Sequence, residues 1–338
     1  MMHEDIRNVL NAVRILSKSE YTINDTRRDI ERIKITSSES VDLFLTNDGI
    51  TQGDITGLMY KVLSTDIYNT LYNLNDKPEP CLEEIGSNFL TRLSNANSGV
   101  GGWENGWRVL FQNEKSGHFA VQKGKVQFWV MEDEVDVSGE GEKSCLVRIP
   151  KELKFLHPYF YMAFGNAKPS RGSRGLVRFY WNLTPSSSPS YIKGITHCLN
   201  EAGIYFKTKV LSDPEKYTRS DSGVLYLEKE SLRAALPHVL KVYHSISNSV
   251  NKGIPLFTRK IKDGLSFAED TTDDQSFGFS RSSLIAKSII GHCQMRSSGP
   301  SLEEYVSRIF QEQGIDPSTP YAVKDSLNEY ESILNECH

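Results

Sequence analysis

The sequence predicts an α+β protein with a helical N-terminal part, followed by a mixed or antiparallel sheet flanked by helices. Apolar residues in roughly the first hundred positions recur at helical spacing. Later in the chain, short runs rich in β-branched and aromatic residues are typical of strands. Helical and strand patterns then mix without strict alternation, which favours helices packed on one mixed sheet.

Composition limits the possible classes of protein. The chain has 338 residues, 38% of them hydrophobic and 10% aromatic, which is enough for a substantial core. The net charge of −4 gives no general reason to expect nucleic acid or an anionic membrane as partner. The sequence contains no apolar run of about 18 residues, so we expect no transmembrane helix. Its acidic start does not resemble a signal peptide. The five cysteines form no C-x-x-C pair, so we expect a reduced, cytoplasmic protein without a zinc or redox motif.

The first region, residues 1–97, is predicted to contain three helices. Apolar residues from Ile6 to Leu16 share one helical face. The segment DITGLMYKVLSTDIYNTLYNL begins with Asp54 as a possible cap, and CLEEIGSNFLTRL forms the third helix. The Gly-rich, polar stretch SNANSGVGGWENGW then ends the helical pattern, which places a boundary near residue 97.

The second region, residues 98–338, is predicted to hold the sheet. HFAVQKGKVQFWVM predicts a hairpin around Lys123-Gly124-Lys125, and further strands are predicted in SCLVRIP, GLVRFYWNL, IYFKTKVL and SGVLYLE. Helices are predicted near residues 191–203, 228–249, 281–294, 301–313 and 324–336.

Several of these strands carry cations on one face, because side chains alternate along a strand. In VRFYWNL, Arg178 and Tyr180 point away from the apolar side. Lys207 and Lys209 share a face in FKTKV, and Arg148 points opposite its apolar neighbours in VRIPK. If these strands are neighbours, the cations converge, which is costly unless an anion joins them.

Phosphate is the anion that this pattern favours, because Arg offers bidentate hydrogen bonds and Lys a point charge. The alternative is that these cations form the solvated side of a half-exposed sheet. Spacing alone does not distinguish the two interpretations.

Motifs for nucleotide binding and serine hydrolysis are absent from the sequence. No GxGxxG, P-loop or GxSxG pattern occurs, and GVGGWENGW does not follow a convincing strand. His118 could be a general acid or a surface residue. Arg219 and Asp221 in YTRSDSG could bind a ligand or form a local pair that shapes the turn.

The segment FTRKIKDGLSFAEDTTDDQSFGFSR, residues 257–281, is long, aromatic and charged. It predicts either a lid that closes over a bound chain or an Ω-loop anchored by its phenylalanines. Arg259 and Lys260 are candidate phosphate or peptide contacts. Glu269 and Asp270 would pair with these cations or position a lysine of the site. The two following acids, Asp273 and Asp274, are expected at a solvated tip.

Four segments carry a resemblance to a known family: VRIPKELKFLHPYFYMAFG, VRFYWNLTP, AGIYFKTKVLSDPEKYTRSDSGVLYL and PLFTRKIKDGLSFAEDTTDDQSFGFSRSSLIA. Together they resemble the HopA-type family of bacterial type III effectors, and more closely its relatives in peptide natural-product gene clusters. The resemblance covers roughly residues 98 to 325.

This resemblance implies a lyase that works beside a protein kinase-like phosphotransferase. The kinase phosphorylates Ser or Thr in a precursor peptide, and the HopA-like partner eliminates phosphate to give dehydroalanine or dehydrobutyrine. The products lead to class V lanthipeptides and thioamitides. The resemblance implies no metal or organic cofactor. The related phosphothreonine lyases of pathogens use a Lys base and a His acid, but their tight Lys-x-His pair is absent here.

The expected reaction needs a base, stabilisation of an enolate and a phosphate site. A lysine base must be neutral, so its pKa of about 10.4 in water must fall. Lys151 at a strand end is the first candidate base and Lys209 the second. His118 is the candidate acid, with Tyr180 as alternative. Candidate phosphate or peptide contacts are Arg148, Arg178, Lys207, Arg219 and Arg259.

Two other functions remain open from the sequence. The chain could be a catalytically silent subunit that binds the precursor peptide or scaffolds the maturation enzymes. It could also be an effector that acts on host phosphoproteins.

Overall fold

The computed structural model describes residues 2–32, 55–73, 88–137, 144–157, 159–170, 172–173, 175–270, 275–295 and 299–335. Within these ranges the strands form a three-stranded, a five-stranded and a seven-stranded sheet, and neighbouring strands pair antiparallel. Helices pack around them, which confirms the predicted α+β class.

The N-terminal region contains a small sheet that the helical pattern did not predict. Its elements are α1 (Glu4–Ala12), β1 (Val13–Ile15), β2 (Glu20–Ile23), β3 (Thr26–Asp29), α2 (Ile55–Ile67), a π-helical turn (Tyr68–Tyr72) and α3 (Phe89–Ala96). The first predicted helix ends early because Val13 and Ile15 pair with Ile23 and Tyr21 as strand partners. β-branched residues fit this pleated arrangement well.

The five-stranded sheet has the order β6-β5-β4-β8-β7. Its strands are β4 (Gly102–Asn113), β5 (His118–Lys123), β6 (Val126–Val130), β7 (Val135–Asp136) and β8 (Ser144–Ile149). The predicted hairpin of β5 and β6 is confirmed, and Gly124 at its turn has a φ of 57°, which favours glycine. This sheet has a small core of its own around Trp107, Val121 and Val147.

The seven-stranded sheet has the order β14-β15-β11-β13-β12-β10-β9. Its strands are β9 (Glu152–His157), β10 (Phe160–Phe164), β11 (Leu176–Trp181), β12 (Phe206–Leu211), β13 (Gly223–Glu228), β14 (Arg259–Lys262) and β15 (Leu265–Asp270). The predicted strands of the second region are confirmed, whereas β4, β7, β9, β10, β14 and β15 were not predicted.

The helices of the second region lie where the periodicity places them, within a few residues. They are α4 (Ser188–Glu201), α5 (Leu232–Ile246), α6 (Phe277–Cys293), α7 (Leu302–Glu312) and α8 (Leu327–Leu334). Among the helices in the described ranges, none has the length and apolar character needed to cross a membrane.

One face of the seven-stranded sheet is largely apolar, and we call it the apolar face. It carries Val177, Phe179 and Trp181 of β11, each completely buried. The Trp181 ring packs against Tyr191 of α4 at 4.9 Å and Tyr243 of α5 at 6.2 Å between centroids. Burial on this scale stabilises each large side chain by about 1.5–3 kcal/mol.

The N-terminal helices belong to the same core as the seven-stranded sheet. Ile6, Leu63 and Leu93 join one continuous cluster with the apolar face. This cluster therefore extends across the boundary predicted near residue 97, and the five-stranded sheet has a separate cluster of its own.

The segment 257–281 is neither a lid nor an Ω-loop, which corrects both predictions. Its first part is the hairpin of β14 and β15, and its last part begins α6. Phe257, Phe267 and Phe277 are all fully buried. Leu265 and Phe267 alternate with Ser266 and Ala268, a strand pattern of only a few residues, while Asp273 and Asp274 lie outside the described residues.

Gly278 in α6 provides a test of how α6 packs on the π-helical turn. A Cβ at position 278 would overlap the ring of Tyr72, which is held between Tyr68 and Phe257. Alanine normally stabilises a helix by about 1 kcal/mol relative to glycine, but overpacking costs about 1–3 kcal/mol. We expect Gly278→Ala to lower the free energy of unfolding in urea titrations, whereas the exposed Lys287→Ala leaves it unchanged. A Gly278→Ala protein as stable as wild type would contradict this packing.

Candidate functional site

Three cations meet on the face of the seven-stranded sheet opposite the apolar face. Arg178 on β11 lies directly across from Tyr226 on β13, and Tyr226 lies directly across from Lys207 on β12. Neighbouring strands are about 4.8 Å apart, so the Cα atoms of Arg178 and Lys207 are about 10 Å apart. Lys209 lies two residues along β12 on the same face. We call this surface the cation face.

The Tyr226 ring is the centre of the cation face. The Arg178 guanidinium carbon lies 5.0 Å and the Lys209 Nζ atom 5.9 Å from the Tyr226 ring centroid. Lys209 Nζ also lies 4.3 Å from the centroid of the Phe160 ring on β10. Aromatic rings attract cations through their quadrupole, so these rings hold positive groups without neutralising them.

The cation face is open at one end and covered at the other. Lys207, Lys209 and Tyr226 are half-buried, and Arg178 is 8% exposed. Toward the other end Tyr180 is buried and packs on Phe277 of α6. Burial raises the pKa of the Tyr180 phenol well above its ordinary value, so it stays protonated at neutral pH.

Glu104 of β4 borders the cation face and connects the two larger sheets. Its Oε1 atom lies 3.1 Å from Lys123 Nζ and 3.9 Å from Lys207 Nζ. The indole Nε1–H of Trp107 donates to the other oxygen at 3.1 Å. Lys209 differs from Lys207, because in the described part of the chain its Nζ atom has ring contacts but neither a carboxylate nor a hydrogen-bond acceptor.

Arg219 lies outside the cation face and is held by its own turn. Its guanidinium donates to both Asp221 oxygens, at 2.7 and 2.8 Å, and to Tyr68 at 3.1 Å. Burial alone would lower the pKa of Arg219, but Asp221 raises it by more. This is the turn-shaping pair that the sequence left open as an alternative.

Lys151 lies directly before β9 and contacts the end of α3. Its Nζ atom donates to the carbonyl oxygens of Asn97 at 2.9 Å and of Ser94 at 3.5 Å. Carbonyls at a helix C-terminus lack intrahelical partners, so a lysine there satisfies them and complements the helix dipole. The first candidate base thus has a structural contact that the sequence did not indicate.

The remaining predicted residues lie on strands other than those of the cation face. Arg148 is exposed on β8 of the five-stranded sheet. His118 begins β5, about 16 Å along the strand from Lys123 at a rise of about 3.3 Å per residue. Arg259 is paired with Phe267, which places it on the apolar side, where it binds Glu331 and Asn335 of the C-terminal segment.

Tyr226, Phe160 and Glu104 are the site residues that sequence reasoning missed. Tyr226 alternates with Leu225 and Leu227 in SGVLYLE, a signal that could have placed it on the face opposite the apolar side. Nothing in the sequence shows that Phe160 or Glu104 lies near β12. In the described ranges, no group of three or more His, Cys, Asp or Glu side chains could hold a metal ion.

Comparison with known proteins gives a family match. The model of the HopA1 effector protein family matches residues 153–322, which is half of the chain. No curated protein matches the chain in sequence.

Two solved structures are similar to the chain. One is an effector protein from Pseudomonas syringae pv. tomato strain DC3000, with 17% identity, a TM-score of 0.47, and coverage of 81% of this chain and 90% of that one. Another is an effector protein from Pseudomonas syringae pv. syringae strain 61, with 14% identity, a TM-score of 0.46, and coverage of 76% and 87%.

Because Lys151 contacts the end of α3, we expect that replacing Lys151 destabilises the fold. Loss of one hydrogen bond to the helix end should lower the free energy of unfolding of Lys151→Ala by about 0.5–1.5 kcal/mol. Affinity for inorganic phosphate, measured by calorimetry, should stay within twofold of wild type, because Lys151 Nζ is bound to the end of α3. Loss of phosphate binding with unchanged stability would contradict this placement.

The surroundings of Glu152, the residue after Lys151, predict that its contribution to stability depends on pH. Burial alone would raise the pKa of Glu152, but hydrogen bonds from Tyr161, Ser94 and Lys154 hold it below the ordinary value. Because the pKa of Glu152 is lower in the folded than in the unfolded protein, its carboxylate stabilises the fold at pH values above the unfolded pKa of about 4.3. This stabilisation is lost as the pH falls through the folded pKa. We expect the melting temperature of Glu152→Gln to be lower than wild type at pH 7 and to approach it at pH 3. An equal difference at both pH values would contradict this.

Proposed function

The chain belongs to the HopA1 effector protein family, and we propose that it is a lyase that eliminates phosphate from phosphoserine and phosphothreonine in a ribosomal precursor peptide. One observation carries the proposal. Arg178, Lys207 and Lys209 converge on an open, half-buried patch, and one of the three has only aromatic contacts among the described residues.

Arg178 and Lys207 are suited to bind the phosphate. A guanidinium offers two parallel donors to phosphate oxygens, and an ammonium adds a point charge. At about 10 Å between their Cα atoms, the two long side chains can reach the same phosphate group from opposite sides of Tyr226. The Glu104 carboxylate at 3.9 Å from Lys207 would give way to the stronger anion.

Lys209 replaces Lys151 as our proposed base. An amine acts as a base only in its neutral form, which apolar surroundings and neighbouring cations favour. Lys209 lies on the same face as two other cations, and its Nζ atom contacts no carboxylate of the described residues. Lys151 is instead occupied with the end of α3.

The elimination balances without a separate acid. The neutral Lys209 amine takes the α proton, the C–H electron pair forms the Cα=Cβ double bond, and the Cβ–O bond breaks with its electrons on phosphate. The leaving phosphate needs one proton, and the Lys209 ammonium can return the one it removed. This matters because His118 is remote on β5 and Tyr180 is buried under α6.

The proposed reaction uses no metal or organic cofactor and depends on a separate phosphotransferase. A kinase-like partner must supply the phosphate ester, and the lyase then removes it to leave dehydroalanine or dehydrobutyrine. We propose that both steps take place in the cytoplasm, where the five cysteines remain reduced.

A binding subunit without catalysis is the second candidate. It is favoured by the position of His118 at the start of β5, which leaves the predicted acid away from the cations. Such a subunit would hold the phosphorylated precursor peptide on the same three cations and leave its phosphate intact.

Substitution of Lys209 separates the two candidates. We expect Lys209→Met to slow loss of phosphoric acid from a phosphothreonine peptide at least about a hundredfold, followed by mass spectrometry, because a general base contributes on that order. The dissociation constant for the peptide should rise less than tenfold, and Lys241→Ala on the exposed side of α5 should match wild type.

Arg178 provides the complementary measurement. Arg178→Gln should weaken phosphopeptide binding by about tenfold or more, since a charge-assisted pair contributes about 1.5–3 kcal/mol. Turnover of Lys209→Met within tenfold of wild type would refute the base assignment. Wild-type protein that binds the phosphopeptide but never eliminates phosphate would establish the binding subunit instead.

A further inference from the structure

The outer edge of the five-stranded sheet presents an unpaired strand. β6 is the last strand of that sheet and pairs with β5 on one side, and no strand of the described chain pairs with its other side. An edge of this kind exposes a row of backbone N–H and C=O groups that can pair with another strand.

This edge lacks the features that proteins use to block such pairing. The strand reads Val-Gln-Phe-Trp-Val and contains no charge and no proline. Protected edges carry lysine, proline or a bulge. β6 also keeps an unbroken register with β5 along its whole length.

Apolar exposure is concentrated around the same strand. Seven of the twelve exposed large hydrophobic side chains in the described residues fall within residues 110–137. Phe111 and Trp129 are 53% and 52% exposed, and their rings meet edge to face at 5.0 Å. Contiguous apolar surface of this type is typical of a protein interface.

Charge at the two ends of β6 indicates what covers it. Exposed Lys125 precedes the strand, and exposed Glu132 and Asp133 follow it after Met131. None of the three has an ion-pair partner within the described residues. If a second β6 is laid antiparallel on the first, Lys125 of each copy lies beside Glu132 and Asp133 of the other.

We propose that β6 is a homodimer interface, in which the β6 strands of two copies pair antiparallel and join two five-stranded sheets into one. The two-fold axis passes near Phe128, so that the same residues meet in both directions, as in isologous dimers. Five residues from each copy and the adjoining aromatic side chains form an interface below standard size, so the dimer is reversible and weakens as salt screens its charges.

Charge reversal tests both the edge and its antiparallel direction. Analytical ultracentrifugation of the full chain should show a concentration-dependent dimer. Lys125→Glu alone, or Glu132→Lys with Asp133→Lys, places like charges together and should weaken self-association at least about tenfold. An equimolar mixture of the two variants restores both charge contacts and should form a heterodimer with wild-type affinity. All these positions are exposed, and thermal melting checks that each variant is folded.

Several outcomes would overturn the proposal. A wild-type chain that stays monomeric up to high concentration would do so, as would a dimer that both variants retain. Failure of the mixed variants to associate would exclude the antiparallel arrangement. If hydrogen exchange shows that a phosphothreonine precursor peptide protects the β6 amides of a monomer, the edge binds a peptide and not a second copy.

Discussion

The cross-strand register of Arg178, Tyr226 and Lys207 is the constraint on which the proposed site depends. The positive groups on β11 and β12, which are separated only by β13, repel each other, and partial burial strengthens the repulsion. The arrangement persists because the opposite face of the same strands is fixed by large buried side chains. A slip of one residue would turn Phe179 and Trp181 toward solvent, so apolar burial sets the register that brings the cations together.

Other cations of the second region show by contrast why the cation face is distinctive. Arg219 is held by Asp221, Arg259 by Glu331, and Lys229 by Glu269 at 3.5 Å. Each of these pairs joins segments of the fold and leaves little positive charge for a ligand. On the cation face, Lys209 contacts the Phe160 and Tyr226 rings and no carboxylate of the described residues, and rings do not cancel charge. Held charge without full neutralisation is what an anion site requires.

Much of the fold follows from the sequence because its signals are local. The helices α4 to α8 and the strands β8, β11, β12 and β13 have clear periodicity, and alternation along β11 and β12 placed Arg178, Lys207 and Lys209 on polar faces. Which strands are neighbours is not a local property. The order β11-β13-β12, which places Tyr226 between the cations, could be learned only from the structure.

Residues whose role depends on distant contacts could not be assigned from their neighbours in the chain. Lys151 resembles a site lysine at a strand end, but its Nζ atom binds the end of a helix 54 residues earlier. The role of Arg259 also depends on a distant contact, because its partner Glu331 lies 72 residues later in the chain. Segment 257–281 misled for a different reason, since the alternating run from Leu265 to Ala268 is short and lies between charged residues.

The most direct test of the account is whether one phosphate contacts the cations of both strands. Selective ¹³C labels at the lysine ε carbons allow each ammonium group to be followed by NMR during titration with a phosphothreonine peptide. The account predicts that the Lys207 and Lys209 signals shift together with one dissociation constant, that Arg178→Gln weakens both shifts, and that Lys151 and Lys241 stay in place. Shifts at Lys151 with none at Lys207 and Lys209 would contradict it.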